Sequence, residues 1–403
     1  MTFKKLIPEF ALNYYHKLMP FVGALIYGFP SRKIKVIGVT GTNGKTTTVN
    51  LIAEILKENG FKTAYLSSIN FQIQDKEWPN LFKMTMPGRL EIQKFLKQAV
   101  KSGCDYAVLE VSSEGIKQFR HLFINFEVAV FTNISQEHIE AHKGFDNYKK
   151  AKGKLFQVTK NIHVVNQDDE NSDFFLSFPS QKKITYGIKK GEIKALNIQK
   201  SSFTINDVLF ETKLLGEFNV YNVLAAVSVA LSQGVNLEVC REAIKKFPGV
   251  PGRMEEVASQ VIVDYAVTPD ALEKLYQTIK ENWPDKEIIA VLGSCGGGRD
   301  KWKRPILGQI AEKYSFKVFV TNEDPYDEDP MEIINQVAGP KAIKIIDRRE
   351  AIKQALNSAR DNDIVVITGK GCEPWMCVSG GRKIPWDDRK IVTEELNEKK
   401  KKA

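Results

Sequence analysis

A chain of 403 residues exceeds what one ordinary hydrophobic core holds, so two or three domains are expected. With 43% hydrophobic and 27% charged residues, the composition excludes a disordered chain. The formal net charge of +9 suits anionic ligands such as phosphates or an anionic surface, and equally fits a lysine-rich solvated exterior with part of the excess in the "NEKKKKA" tail. Cys104, Cys240, Cys295, Cys372 and Cys377 are odd in number, irregularly spaced and free of C-x-x-C. That pattern excludes a disulfide framework and a zinc site, and points to a reducing, cytoplasmic setting.

Residues 1–32 form a short apolar, aromatic-rich N-terminal segment. Its run "LMPFVGALIYGF" is about half the length needed to cross a bilayer. Packing on the next domain is the favoured reading, with contact to a membrane surface as the alternative. From Lys33 strands and helices alternate. "KVIGVT" reads as a buried strand, "KTTTVNLIAEILKENG" as a helix closed by Gly60, and "KTAYLSS" as a strand. "EIQKFLKQAVKSG" reads as a helix; "YAVLEVSS" and "VAVFTNIS" read as strands with polar ends. Such alternation predicts a mostly parallel sheet with ligands at the carboxyl ends of its strands. A stretch richer in short strands follows, from "HVVNQDD" to "TINDVLFETKLLG", and then the helix "NVYNVLAAVSVALSQG". Two prolines and two glycines in "FPGVPGRMEEV" predict a boundary near residues 247–257. Beyond it "VIVDYA", "EIIAVLGS", "KVFVTNED", "AIKIID" and "DIVVITGKG" form a second α/β series. The expected fold is α/β: a central P-loop parallel-sheet ATPase domain (33–250) followed by a smaller Rossmann-like α/β domain (251–403).

The chemistry concentrates in "GTNGKTT", residues 41–47, between a strand and a helix. Gly41 and Gly44 permit a tight turn whose amides face an anion at the positive end of the helix. Lys45 would reach the outer phosphates and the Thr46 hydroxyl a Mg²⁺ ion. Val39 stands where the strict G-x-x-x-x-G-K pattern has glycine, so a chance G-K-T in a strand-turn-helix is the competing reading. Glu110 falls at a strand end, where a hard cation wants carboxylate oxygens, or where a solvated acid would sit. His138, one of five histidines, is expected at the end of the next strand, as a ligand or a loop histidine. Asn219 and Asn222, three apart, share a helix face and offer the paired donor and acceptor of an adenine edge; Asn219 could instead cap the helix. "GSCGGGRDKWKRP" reads as a flexible glycine loop or an anion site with Arg299 as the fork for a carboxylate.

"GTNGKTTT" resembles the ATP loop of the Mur ligases, enzymes that join amino acids to the growing peptide of the cell-wall precursor. That loop as a rule lacks the first glycine, so Val39 fits it. The related folate polyglutamate ligases usually have glycine after the lysine, where this chain has Thr46. "EVSSEG", "EHIEAHKG" and "YKKAKGKLF" are similar to the family's E-V-S-S-H, D-H-L-D-x-H-G and Y-x-x-A-K-x-x-L-F. The resemblance implies that Gly41, Thr42, Asn43, Gly44, Lys45, Thr46 and Thr47 bind ATP. It further implies two Mg²⁺ ions held by Thr46, Glu110, His138 and a carbamylated Lys152. Thr85 of "KMTMPGR", Ser112, Ser113 and Arg120 would lie on the substrate side. Glu114 replaces the family histidine, Glu137 the aspartate, and Met86 the second threonine. Asn219 and Asn222 would meet the adenine, Arg253 the phosphates and Asp264 the ribose, with Val267 where the family has histidine. Arg299, Asp324, Tyr326, Gly369 and Glu373 would receive the incoming amino acid, Glu373 binding the far amino group of a diamino acid. Diaminopimelate-adding members show D-N-P-R where this chain has "EDPY", so Tyr326 takes the arginine's place; lysine or another diamine stays open. Cys372 stands for the histidine of G-K-G-H-E.

The implied activity is ATP-dependent amide-bond formation through an acyl phosphate, on a muramoyl-peptide precursor and a free amino acid. A cytoplasmic monomer without nucleic-acid partners is expected. The tripeptide-forming members, which this chain most resembles, carry an N-terminal domain for the precursor's UDP, and only the 32-residue segment stands in that place here. Two rivals remain. One is a ligase of the same fold acting on a folate, a lipid-linked wall precursor or an archaeal wall peptide. The other is a non-catalytic nucleotide-binding partner, suggested by Glu114, Val267 and Cys372.

Overall fold

Val36, Ile37 and Val39 leave no polar alternation in the first strand, the pattern of a strand covered on both faces. In the computed structural model, which describes residues 9–82 and 84–402, the strand Lys35–Thr40 is buried from Val36 onward. It lies between parallel partners Tyr106–Glu110 and Phe126–Phe131. The chain forms two compact units. The first runs to Ser135 and from Phe145 to Pro248; the second joins Gln136–Gly144 to the chain from Gly249 onward.

The first unit holds an 11-stranded sheet. Its order is Val208–Glu211, Ser202–Ile205, Ile193–Leu196, Lys182–Gly187, Ile162–Asn166, Phe126–Phe131, Lys35–Thr40, Tyr106–Glu110, Thr63–Leu66, Asn70–Ile73 and Lys76–Pro79. The middle is parallel, and both edges end in antiparallel pairs. The helix Lys45–Glu58 starts directly after the phosphate loop and is closed by Gly60 at φ +88°. It packs against Glu217–Ser232, a helix buried along most of its length. Helix Glu9–Tyr27 packs on Arg89–Lys101. No helix among the described residues is long and apolar enough to cross a membrane.

The second unit is built on a six-stranded sheet ordered Glu255–Ala258, Val261–Asp264, Asp363–Thr368, Glu287–Leu292, Lys317–Thr321, Ile343–Ile345. All neighbours are parallel except the first pair.

Three features differ from the sequence reading. His138 is not at a strand end: the strand stops at Phe131, and His138 leads the short helix Ile139–His142 in a left-handed conformation, φ +56°. The lysine-rich C-terminus is no loose tail but the end of helix Asp388–Lys402, in keeping with the helix propensity of Lys and Glu. The strands Asn70–Ile73 and Lys76–Pro79 and the hairpin Trp375–Val378 with Arg382–Pro385 carried no clear period-2 signal.

Candidate active site

The phosphate loop leaves the sheet at Thr40 and is moulded by residues 132–135, which follow the neighbouring strand. Thr42 N donates to Asn133 O (2.8 Å), and Asn43 N to Asn133 Oδ1 (2.9 Å). Thr132 Oγ1 and Asn133 Nδ2 both donate to Asn43 O (2.8 and 3.1 Å). Two positions require glycine. A Cβ on Gly41 would lie 1.9 Å from Thr132 Oγ1; one on Gly44, at φ +80°, would lie 2.2 Å from Asn222 Oδ1. Lys45 Nζ donates to Thr42 O (2.8 Å), folding the side chain back over the loop.

A polar chain runs from the loop. Thr46 Oγ1 donates to Glu110 Oε2 (2.9 Å), and Lys45 Nζ lies 4.0 Å from Glu110 Oε1. Glu110 also accepts from Ser68, through its amide (2.8 Å) and its hydroxyl (2.9 Å). The Ser68 hydroxyl is 2.9 Å from Thr85 Oγ1. The sequence reading missed Ser68, since a serine in "LSSIN" carries no motif. One buried carboxylate beside one hydroxyl at a phosphate loop is the donor set Mg²⁺ uses when phosphates and waters complete its octahedron. The residues therefore fit a nucleotide-bound magnesium ion.

Lys152, in the helix Phe145–Val158, is 1% exposed. Its Nζ donates to Gly41 O (2.6 Å) and sits 4.5 Å from the centre of the Tyr148 ring. Of the three lysines nearest it in sequence, Lys150 and Lys154 are exposed and Lys149 is half-buried. His138 belongs to the second unit, where its neighbours are tied down: Glu137 pairs with Lys303 (2.8 Å), and the amides of Ile139 and Glu140 donate to Asp300.

Asn219 and Asn222 are buried and bonded to one another. Asn222 Nδ2 donates to Asn219 Oδ1 (2.9 Å), and Asn219 Nδ2 to Leu215 O (2.8 Å). With Asn222 Oδ1 against Gly44 and accepting from Thr48 Oγ1 (3.4 Å), the pair braces the loop. Ser112 caps the helix Ser113–Lys117 by accepting from Gly115 N (3.1 Å), and Ser113 is buried in its first turn. Arg120 is buried beneath the loop that carries Thr85 and donates to Met86 O and to Gln118 Oε1.

In the second unit, Arg253 stacks over Tyr265, 4.4 Å from the ring centre. Asp264 accepts from Met254 N (2.6 Å), and burial pushes its carboxyl above the ordinary range. Arg299 is exposed beside the glycines at 296–298. Asp324 and Glu373 share one buried cation that the sequence reading passed over. Lys370 Nζ is 2.9 Å from both Asp324 oxygens and 2.5 Å from Glu373 Oε2. Tyr265 OH donates to Glu373 Oε1 (3.2 Å), so Glu373 is a bonded carboxylate, not a solvated loop acid. Tyr326, at φ +53°, packs its ring on Gly297, and burial raises its phenol. Gly369, at φ +111°, leaves room for Glu323, whose Oε2 a Cβ there would approach to 2.2 Å. Burial pushes Glu323 up to about 7 despite Arg348 and Lys370 nearby.

A glycine-lined phosphate loop on a parallel sheet, with a carboxylate-hydroxyl pair beside it, defines a nucleotide-binding enzyme fold. Residues 39–230 match the Mur ligase middle domain, and residues 252–371 the Mur ligase glutamate ligase domain. A UDP-N-acetylmuramoyl-L-alanyl-D-glutamate–2,6-diaminopimelate ligase of Syntrophomonas wolfei is 41% identical over 405 residues, covering 94% of this chain and 82% of that protein. The enzyme of the same name from Aquifex aeolicus is 38% identical, covering 92% and 79%. A solved structure of such a ligase superposes with a TM-score of 0.62 at 33% identity, covering 91% of this chain and 79% of that one. A pseudomurein peptide ligase type C from Methanothermus fervidus shares the fold (TM-score 0.68, 21% identity, 91% and 79% covered). The chain belongs to the Mur ligase family, and is thereby an ATP-dependent ligase that forms amide bonds.

Proposed function

We propose that this ligase adds a diamino acid to a UDP-linked muramoyl-dipeptide in the cytoplasm, acting as a monomer. The observation that carries the reading is the hydroxyl-carboxylate chain Thr46–Glu110–Ser68–Thr85, which joins the phosphate loop to the loop expected to meet the precursor. The activity for which the relatives are named, diaminopimelate addition, supports the choice of precursor.

The precursor carboxylate is inert to amines because its leaving group would be oxide. Its oxygen attacks the γ-phosphorus of ATP, the bond to ADP breaks, and an acyl phosphate forms. The amine of the incoming amino acid then attacks the acyl carbon; phosphate leaves and the amine proton passes to solvent or a base. Lys45 swings from Thr42 O to the transferring phosphoryl oxygens, and the amides at the start of helix Lys45–Glu58 face the same charge. Thr46 and Glu110 would hold one magnesium ion; Glu110, His138 and a carbamylated Lys152 are the ligands we assign to a second. Bound there, the ions supply charge neutralisation at the phosphates. Carbamylation would replace the Lys152 ammonium at Gly41 O with an anionic oxygen pair, and a carbonyl resonance in ¹³C-bicarbonate-labelled protein, absent in K152A, tests it. Asn219 and Asn222 hold the loop for the base, Arg253 and Asp264 meet phosphates and ribose, and the C-terminal domain, residues 251–403 in our assignment, receives the amino acid.

Tyr326 in the place of an arginine, and two carboxylates sharing one lysine, favour an acceptor with a distal amino group over one that needs a second carboxylate grip. ADP release with UDP-muramoyl-dipeptide, ATP and a panel including lysine, ornithine and meso-diaminopimelate is the test. Release only with a diamino acid is expected. Release independent of any amino acid overturns the reading, and turnover restricted to a folate or a lipid-linked precursor moves the enzyme to another branch of the fold.

A further inference from the structure

The N-terminal helix Glu9–Tyr27 is packed the wrong way round for a surface helix. Such helices ordinarily turn their bulky apolar side chains inward. Here the face on helix Arg89–Lys101 is built of small groups: Pro20, Gly23 and Ala24 are buried, and a Cβ on Gly23 would already touch Gln93 and Leu90 at 3.4 Å. Several of the large apolar side chains described from Tyr15 onward point away. Leu25 and Ile26 are 60% and 64% exposed, Leu18, Phe21 and Tyr15 are exposed as well, and Phe21 extends the patch to exposed Phe123, with ring centres 5.3 Å apart. Leu18, Phe21 and Leu25 follow the i, i+3, i+7 spacing of one continuous stripe.

The charged residues within this stretch of sequence have one sign, although Lys33 and Lys35 share a groove with Asp105 and Glu127. Between Glu9 and Glu54 the sequence contains no Asp or Glu, while Lys17, Arg32, Lys33 and Lys35 fall in that stretch. Lys17, Arg32, Lys33 and Lys35 are exposed. An outward apolar stripe with a cationic border is what an interfacial helix offers to anionic lipid: apolar area enters the boundary below the headgroups, and Lys and Arg meet the phosphates. A helix too short and too interrupted to span still binds in this way.

We propose that this helix docks the protein on an anionic membrane surface, with Leu18, Phe21, Leu25 and Ile26 inserted and the nearby lysines and arginines at the headgroups. The inference does not depend on the reaction assigned above. The full chain is floated with vesicles containing about one third phosphatidylglycerol, and with vesicles of phosphatidylcholine alone. The bound fraction should be roughly tenfold higher with the anionic lipid, and should fall about tenfold in the double variant L25E/I26E and with added salt. Both side chains are exposed, so the variant should keep the parent's melting temperature and its ADP release with soluble substrates. Absence of binding to the anionic vesicles overturns the proposal, as does binding unchanged in L25E/I26E. A concentration-dependent dimer in sedimentation, abolished by the same variant, would assign the stripe to a second copy of the chain and overturn it too.

Discussion

Ser68 shows how a residue without a motif can govern one that has one. Its amide and hydroxyl both hold Glu110, so S68A should leave the carboxylate loosely aimed. The expected outcome is a 10- to 100-fold drop in activity, in the range of ~10–100 for lost supporting shells, with a raised requirement for Mg²⁺ in an ADP-release titration. K45A should cost roughly 10²–10³ in kcat with a smaller change in the KM for ATP, as expected for a charge used in the transition state. Glu323 makes a prediction about stability. Its folded carboxyl stays protonated to about 7, whereas the unfolded one ionises near 4.5. The folded state thus holds an extra proton between those values, and stability falls as pH rises through that window, by on the order of 3 kcal/mol. Denaturant midpoints from tryptophan emission should show the loss in the parent and a flatter profile in E323Q. Trp283, Trp302, Trp375 and Trp386 lie in the second unit and report on it. Lys45 and Thr46 stood out because the phosphate loop's chemistry fixes their spacing; Glu110 stood out only as a polar strand end within a family motif. Lys370 was not: within "TGKG" a lysine looks like any surface lysine, and only the fold puts two carboxylates on it.

At the scale of elements, the loop and the helix Glu217–Ser232 are one device. Gly44 is crowded by Asn222, so G44A carries two penalties: a left-handed φ and a collision with the amide. G44A should lose ATP binding by calorimetry, and adding N222A should recover only the part due to the collision. The parallel core was readable from continuous apolar strands and intervening helices, and the motifs then fell at strand ends. The short edge strands Asn70–Ile73 and Lys76–Pro79 and the helix Ile139–His142 were not readable, because four residues carry too little periodicity. His138 was displaced from its expected strand end for that reason.

For the molecule as a whole, nucleotide binding and folding stability are linked. MgATP at ~100 times its Kd should stabilise the folded state by about 2.7 kcal/mol. Hydrogen exchange should show added protection in helix Lys45–Glu58, and K45A should remove it. The division into two units was foreshadowed by the proline- and glycine-rich stretch near 250, where Pro248 ends one and Gly249 continues the other. The inclusion of residues 136–144 in the second unit was not, because it rests on Lys303 and Asp300, far away in sequence.

The hydroxyl of Ser68 also sets a polarity. The single Ser68 hydroxyl proton goes to Glu110, so Thr85 must spend its own proton on Ser68. Thr85 is left with lone pairs alone to offer. Any group that came to rest there would have to bring a hydrogen, as a peptide N–H or a sugar hydroxyl does, and a bare carboxylate would be turned away.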